Sequence, residues 1–115
     1  MKKVLVTLYG EEVCPRFDHT AEVWIGTYFK DELVEERTVV LSAQSAEEVC
    51  HTIVAENIAV VVCGAIEKEF FDYLTWKRVT VYDFVAGTLD NVRGAIEDKA
   101  MRGGMNFWTR SDHEY

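Results

Sequence analysis

The sequence predicts one α/β domain, in which a mixed sheet of five strands is flanked by helices. A chain of 115 residues can bury roughly two-thirds of its unfolded surface and fold as a single domain. Apolar residues make up 49% of the chain and proline occurs once, which is typical of a packed globular protein. The apolar period also changes once, after Leu41, from a strand-like to a largely helical spacing. An antiparallel hairpin followed by βα crossovers is therefore expected.

The first part of the chain predicts three strands. Val4 to Tyr9 is apolar on both faces, which favours a central position in the sheet, and a loop follows from Gly10 to Pro15. Val23 to Lys30 and Leu33 to Leu41 are rich in β-branched and aromatic residues and form a predicted hairpin around a tight turn. The outer half of the last strand is charged, as edge strands commonly are, at Glu35, Glu36 and Arg37.

After Leu41 a helix and a buried strand are predicted. Ser45 and Glu48 have the spacing of a capping box, which marks a helix start. An apolar stripe follows at Ala46, Val49, Cys50, Ile53 and Val54, and it predicts core packing for Cys50. Ile58 to Cys63 is a continuous apolar run that is typical of a parallel strand covered on both faces, and Gly64 ends it.

The rest of the chain predicts a helix, a strand, a third helix and a tail. Val79 to Tyr82 is the strand, and Thr88 caps the third helix, which we expect to stop at Gly103-Gly104. Residues 1–104 form the predicted domain, and residues 105–115 are a tail expected to dock loosely if at all. The apolar helix positions are Phe70, Phe71 and Leu74 in the second helix and Leu89, Val92, Ala95, Ile96 and Ala100 in the third.

The predicted element order, βββαβαβα, restricts the topology. Right-handed crossovers place the first strand beside the fourth and parallel to it, so the expected strand order is 3-2-1-4-5 with only the second strand antiparallel. This is a ribonuclease H-like arrangement. It puts the loop after the first strand, the start of the first helix and the Cys63-Gly64 turn at one edge, where open α/β sheets bind ligands.

Three segments carry a family resemblance that spans about Val4 to Gly104. The segments are Cys14-Pro15-Arg16-Phe17-Asp18-His19-Thr20-Ala21, Cys63-Gly64-Ala65-Ile66-Glu67 and Tyr73-Leu74. In these segments the chain resembles the NifB/NifX family of iron-molybdenum cofactor-binding domains. That resemblance implies a ribonuclease H-like fold, a cytoplasmic location, and binding or carriage of an iron-molybdenum or iron-sulfur cluster in nitrogenase cofactor assembly, with cluster donor and acceptor proteins as partners. Ala65 is a departure, since the family usually has a second glycine there.

A cluster site at this edge would draw on thiolate, imidazole and backbone amides. The candidate metal ligands are Cys14, His19 and Cys63, because exposed iron takes thiolate and iron or molybdenum can take imidazole. Arg16 would offset the negative charge of the cluster. Amides at the start of the second helix would face that charge, and they belong to Gly64, Ala65 and Ile66.

Each candidate also has a structural interpretation. Cys63 closes an apolar strand, which favours core packing over metal ligation for this residue. Cys14 lies in a loop without apolar periodicity, so we expect an accessible thiol whether or not it binds metal. Arg16 can pair with Asp18 or Glu12 instead of an anion.

Composition and motifs exclude other functions. A net charge of -8 opposes nucleic-acid binding, and no apolar run has the length of a transmembrane helix. The first strand, Val4 to Tyr9, lacks the carboxylate that a ribonuclease H-like nuclease needs, and no phosphate-binding or nucleophile motif occurs, so we expect no enzyme. Three cysteines do not suggest a disulfide framework, which favours the cytoplasm. The alternative function is a protein-interaction or regulatory domain that binds no cluster, with Phe107-Trp108 as a contact.

Overall fold

A computed structural model of the chain describes residues 1–108 and confirms the α/β class with a mixed sheet. A single 3₁₀ turn, Phe17–His19, lies between the second and third strands. The helices are α1 (Ala46–Ala55), α2 (Lys68–Trp76) and α3 (Leu89–Glu97). The strands are β1 (Lys2–Tyr9), β2 (Glu12–Val13), β3 (Glu22–Phe29), β4 (Glu32–Val40), β5 (Val60–Val62) and β6 (Thr80–Tyr82).

The sheet has the strand order β4-β3-β1-β5-β6, with β2 paired to β1 outside this path. β1, β5 and β6 are parallel, whereas β3 is antiparallel to both β1 and β4. The prediction of five strands is wrong, because residues 12–13 add a sixth, β2, within the predicted loop. Gly10 takes a positive φ of 65° and allows a two-residue turn, after which Val13 pairs with Leu8 and becomes buried.

Two apolar layers cover the two faces of the sheet. On one face, Leu5 and Val61 pack with Val49 and Ile53 of α1 and with Leu74 of α2. On the other face, β-strand residues pack against α3, and the cluster includes Val6, Trp24, Val62 and Val92. The alternation of side chains along β1 thus divides the strand between two cores, as its two apolar faces predict.

The three helices of residues 1–108 all end in the same hydrogen-bonded turn, in which a residue other than glycine takes a left-handed conformation. Asn57, Arg78 and Lys99 have φ angles of 57°, 68° and 57°. The next amide then donates back five residues: Ile58 to Ile53 at 3.0 Å, Val79 to Leu74 at 2.9 Å and Ala100 to Ala95 at 2.8 Å. Within residues 1–108, no helix has both the length and the hydropathy needed to cross a bilayer.

These helix ends correct two details of the sequence prediction. The third helix ends at Glu97, well before Gly103-Gly104, because Lys99 turns the chain, and Ala100 lies outside the helix and is exposed. Val54 is also exposed, since it lies on the outer side of α1, where no neighbouring element covers it.

The first residues of the predicted tail belong to the fold. The Ala86 amide donates to Met105 O at 3.0 Å, and the Phe107 amide donates to Ala86 O at 2.8 Å. The Phe107 ring packs against the α3 side of the core and lies so close to Gly87 that a Cβ there would clash with it. Loose docking is therefore wrong for residues 105–107, and residues 109–115 of the predicted tail lie outside the described residues.

Candidate functional site

The connection between β1 and β3, residues 10–21, folds back over the carboxyl end of β1. The Cys14 amide donates to Thr7 O at 2.9 Å. The Ala65 amide donates to Pro15 O, and the Phe17 amide donates to Ala65 O, both at 2.8 Å. The connection is thereby tied to β1, which contains Thr7, and to the turn after β5, which contains Ala65.

Phe17 anchors this connection in the core. Its side chain is buried on the α1 and α2 side of the sheet, and its ring centroid lies 6.3 Å from that of Phe70 in α2. An aromatic contact of this kind adds to the apolar burial, so the 3₁₀ turn that starts at Phe17 is held in place.

Gly64 permits the close approach of the two segments. A Cβ built at this position would lie 2.5 Å from Cys14 O and 2.6 Å from Pro15 C, and it would also clash with Pro15 O. Backbone atoms cannot move away as a flexible side chain can, so position 64 requires glycine for steric reasons. Ala65, the departure from the family pattern, is exposed and paired through its backbone.

A cleft of about 660 Å³ opens beside the connection at the carboxyl end of β1. Three of the predicted site residues line it: Cys14, Arg16 and His19. His19 is exposed at the end of the 3₁₀ turn. The remaining lining residues are Leu8, Tyr9, Gly10, Pro15, Ala21, Glu22 and Gln44.

The thiol of Cys14 lies in the wall of this cleft and is nearly covered. Cys14 is 2% exposed, and its Sγ donates to Arg16 O at 3.2 Å. The expectation of an accessible thiol is wrong because the connection folds against β1. A ligand reaches Sγ only when that hydrogen bond is given up.

Arg16 is paired with Asp18. Its Nε donates to Oδ1 at 3.2 Å and its Nη2 donates to Oδ2 at 2.9 Å, while the Arg16 side chain remains 58% exposed. This hydrogen-bonded guanidinium holds the pKa of Asp18 below its usual value. Of the alternatives for Arg16, pairing with Asp18 is the one present in the structure.

The other predicted site residues lie outside this cleft; they are Cys63, Gly64, Ala65 and Ile66. Cys63 is fully buried among apolar side chains, and burial, followed by the charge of Asp83, raises the pKa of its thiol strongly. The Ala65 amide already donates to Pro15 and is not available to an anion. Ile66 lines a separate cleft of about 340 Å³ together with Phe84. The four residues from Cys63 to Ile66 therefore do not share the cleft of Cys14 and His19.

Sequence reasoning missed several residues at this edge. Tyr9, Glu22 and Gln44 line the cleft because they stand at the end of β1, at the start of β3 and just before the cap of α1. These positions could have been found from the topology, since all three border the same edge. Phe84 had no such signal; it is 62% exposed in a left-handed conformation, and its amide donates to Gly64 O at 2.9 Å.

The described part of the chain holds no group of three or more His, Cys, Asp or Glu side chains placed to hold a metal ion.

Comparison with known proteins shows the fold. No protein-family model matches the chain, and no curated protein matches it. PH0822, known from a crystal structure, is 13% identical with a TM-score of 0.77 over 84% of this chain and 91% of that one. An NMR structure from Methanococcus jannaschii, named "putative dinitrogenase", is 16% identical to this chain. Its TM-score is 0.71 over 89% of this chain and 92% of that one.

An NMR structure from Thermotoga, named "putative NifB protein" of the DUF35 family, is 19% identical. Its TM-score is 0.69 over 96% of this chain and 99% of that one. At such identities the likeness is one of fold alone, and the chain shares the fold of these solved structures.

Proposed function

We propose that this protein is a non-enzymatic carrier that binds an iron-molybdenum or iron-sulfur cluster on a ribonuclease H-like fold, in a role related to nitrogenase cofactor assembly. One observation carries the proposal: Cys14, Arg16 and His19 line a single cleft at the carboxyl end of β1. The names of the solved structures with this fold support the same role.

His19 is the first ligand in this proposal. Its imidazole is exposed at the cleft and needs no rearrangement to meet a metal atom of the cargo. Cys14 is the second ligand, and its thiol must lose its proton and leave Arg16 O before Sγ binds. Two ligands of this kind hold a cluster weakly, which suits a carrier that must release its cargo.

The charged groups at the cleft limit its affinity for an anionic cluster. Among the described residues that line the cleft, Arg16 is the one cation, and Glu22 contributes a carboxylate. Binding of an anionic cluster therefore draws the half-exposed guanidinium of Arg16 away from Asp18. The net charge of -8 opposes capture of an anion, so a donor protein that delivers the cluster by direct contact fits better than uptake from solution.

The proposed partners are cluster donor and acceptor proteins, and the proposed location is the cytoplasm. A protein that hands a labile cluster from one partner to another needs neither a membrane nor nucleic acid. Reducing conditions also keep Cys14 available as a thiol.

A second candidate function is a protein-interaction domain without a cluster. An exposed aromatic pair on α2 favours it: Tyr73 and Trp76 have ring centroids 6.4 Å apart, and Lys77 Nζ lies 5.9 Å and 5.3 Å from the two centroids. Exposed Trp and Tyr side chains are common at interface centres. Phe107 is a poorer contact than its sequence suggests, because its ring packs into the fold.

Anaerobic titration with isolated iron-molybdenum cofactor, followed by absorption, tests the proposal. The double variant Cys14→Ala/His19→Ala should bind about tenfold or more weakly than the parent, since both ligands are lost. His51→Ala is the matched control, because His51 is exposed on α1 outside this cleft, and it should bind like the parent. Equal binding by the double variant contradicts the site, and no binding by the parent supports the interaction domain instead.

A further inference from the structure

A third cleft lies between the sheet and the end of α3, away from the candidate cluster site and from the cleft lined by Ile66 and Phe84. Its volume is about 340 Å³, which is at the lower end of the range of roughly 300–1,000 Å³ for small-molecule sites. Its walls combine apolar and aromatic side chains with the charged side chains of Lys2, Asp31 and Lys99. The apolar and aromatic side chains belong to Val4, Tyr28, Val60, Tyr82, Ile96 and Met101.

Tyr28 lines this cleft, and its hydroxyl is buried without an internal partner. The residue is 3% exposed, and within residues 1–108 its hydroxyl makes no hydrogen bond. An unpaired hydroxyl in the interior costs stability, and most buried polar atoms in folded proteins are paired. Burial also raises the pKa of Tyr28, so the hydroxyl stays protonated and remains a donor at neutral pH.

Three charged side chains also line this cleft, and they belong to Lys2, Asp31 and Lys99. Lys99 Nζ lies 3.0 Å from Asp31 Oδ2, and this ion pair joins the end of α3 to the turn between β3 and β4. Lys99 and Asp31 both have left-handed backbones, with φ angles of 57° and 69°, which are unfavourable for residues other than glycine. Lys2, among the described residues, forms no ion pair, so the cleft has an excess of one positive charge.

We propose that this cleft binds a small aromatic monocarboxylate. The flat ring fits between apolar and tyrosine walls, which favour aromatic contacts. The carboxylate accepts hydrogen bonds from the ammonium groups of Lys2 and Lys99, which form charge-assisted contacts. A polar substituent at the far end of the ring takes the hydrogen bond that the Tyr28 hydroxyl lacks, after the side chains that cover this hydroxyl move aside.

The shape and charge of the cleft exclude other small molecules. A cation would meet two ammonium groups against one carboxylate in this cleft. A larger dinucleotide would exceed a volume of about 340 Å³. A purely aliphatic ligand would leave the Tyr28 hydroxyl unpaired, and it would also leave Lys2 without a counter-ion.

The probe for this site is 6-hydroxy-2-naphthoate, followed by amide chemical shifts in a ¹⁵N-labelled sample of the whole chain. Saturable shifts should centre on Tyr28, Val60 and Ile96. The neutral isostere 6-hydroxy-2-naphthamide should bind about tenfold more weakly, because it lacks the charge that the lysines recognise.

Variants separate specific binding from general attraction to a lysine. Lys2→Met/Lys99→Met should weaken the carboxylate probe about tenfold, whereas Lys68→Met on α2 should leave it unchanged. Tyr28→Phe should raise the melting temperature and weaken the probe, a combination that a purely structural tyrosine would not give. The proposal is overturned if no saturable shift occurs, or if the lysine double variant or Tyr28→Phe binds as the parent does.

Discussion

Gly64 is the residue on which the position of the cluster cleft depends. Its missing side chain lets the segment from Cys14 to Arg16 lie against the turn after β5, where backbone hydrogen bonds through Ala65 hold it. Because those bonds set the path of the connection, Cys14 and His19 reach the cleft only when position 64 has no Cβ.

Two glycine substitutions test this role. Gly64→Ala should lower the unfolding free energy by about 2–4 kcal/mol, because the new Cβ meets backbone atoms that cannot yield. Gly94→Ala is the control: a Cβ there meets nothing within 4 Å inside α3, and it should raise stability by about 0.5–1 kcal/mol. Chemical denaturation of both variants measures the difference, and an unaffected Gly64→Ala protein would contradict the close approach.

Thiol reactivity provides a second prediction for single residues. Burial, with a smaller effect of the Glu47 charge, raises the pKa of Cys50 to about 11, and Cys63 is fully buried with a pKa that is raised further. We expect both thiols to react slowly with a maleimide at pH 7.5 in the native protein, because little thiolate forms and access is poor.

Mass spectrometry after timed labelling identifies the modified residues. Cys14 should react before Cys63, since it lines the cleft, and all three thiols should react rapidly in urea. Labelling of Cys63 first in the native protein would show that the core around β5 opens more readily than the cleft.

At the scale of elements, Phe107 shows that the fold extends beyond the last helix. The ring packs against the α3-side core, and its amide pairs with Ala86. Phe107→Ala should therefore lower the unfolding free energy by about 2 kcal/mol, somewhat less than for a fully buried ring. Trp108→Ala is the matched control, because Trp108 is 53% exposed and its loss should change stability by less than about 0.5 kcal/mol. Equal effects in thermal denaturation would mean that Phe107 is not anchored.

The elements themselves follow from local patterns in the sequence. Ser45 caps α1 by accepting from the Glu48 amide at 3.1 Å, which is one half of the capping box that the spacing predicts. At α3 both halves are present, because Thr88 accepts from the Asn91 amide and its own amide donates to the Asn91 side chain.

The helix ends could not be predicted with equal accuracy. They depend on left-handed conformations at Asn57, Arg78 and Lys99, and arginine and lysine do not by themselves favour that conformation. β2 was missed because two residues are too few to show a period.

The whole molecule explains why only part of the site could be predicted. The topology places strand ends at one edge, so the location of the cleft beside the β1–β3 connection follows from the period change after Leu41. Which side chains share that cleft depends on contacts between distant segments. Cys14 is covered by a connection that has no pattern, and Cys63 faces the core because it continues the inward alternation of β5.

The most direct test of a cluster in this cleft is pulsed electron paramagnetic resonance on the cluster-loaded protein with ¹⁵N-labelled histidine. A ¹⁵N coupling to the paramagnetic cluster should appear in the parent and in His51→Ala, and it should be lost in His19→Ala, because only the His19 imidazole lies at the cleft among the described histidines. A coupling that persists unchanged in His19→Ala would contradict the proposed site.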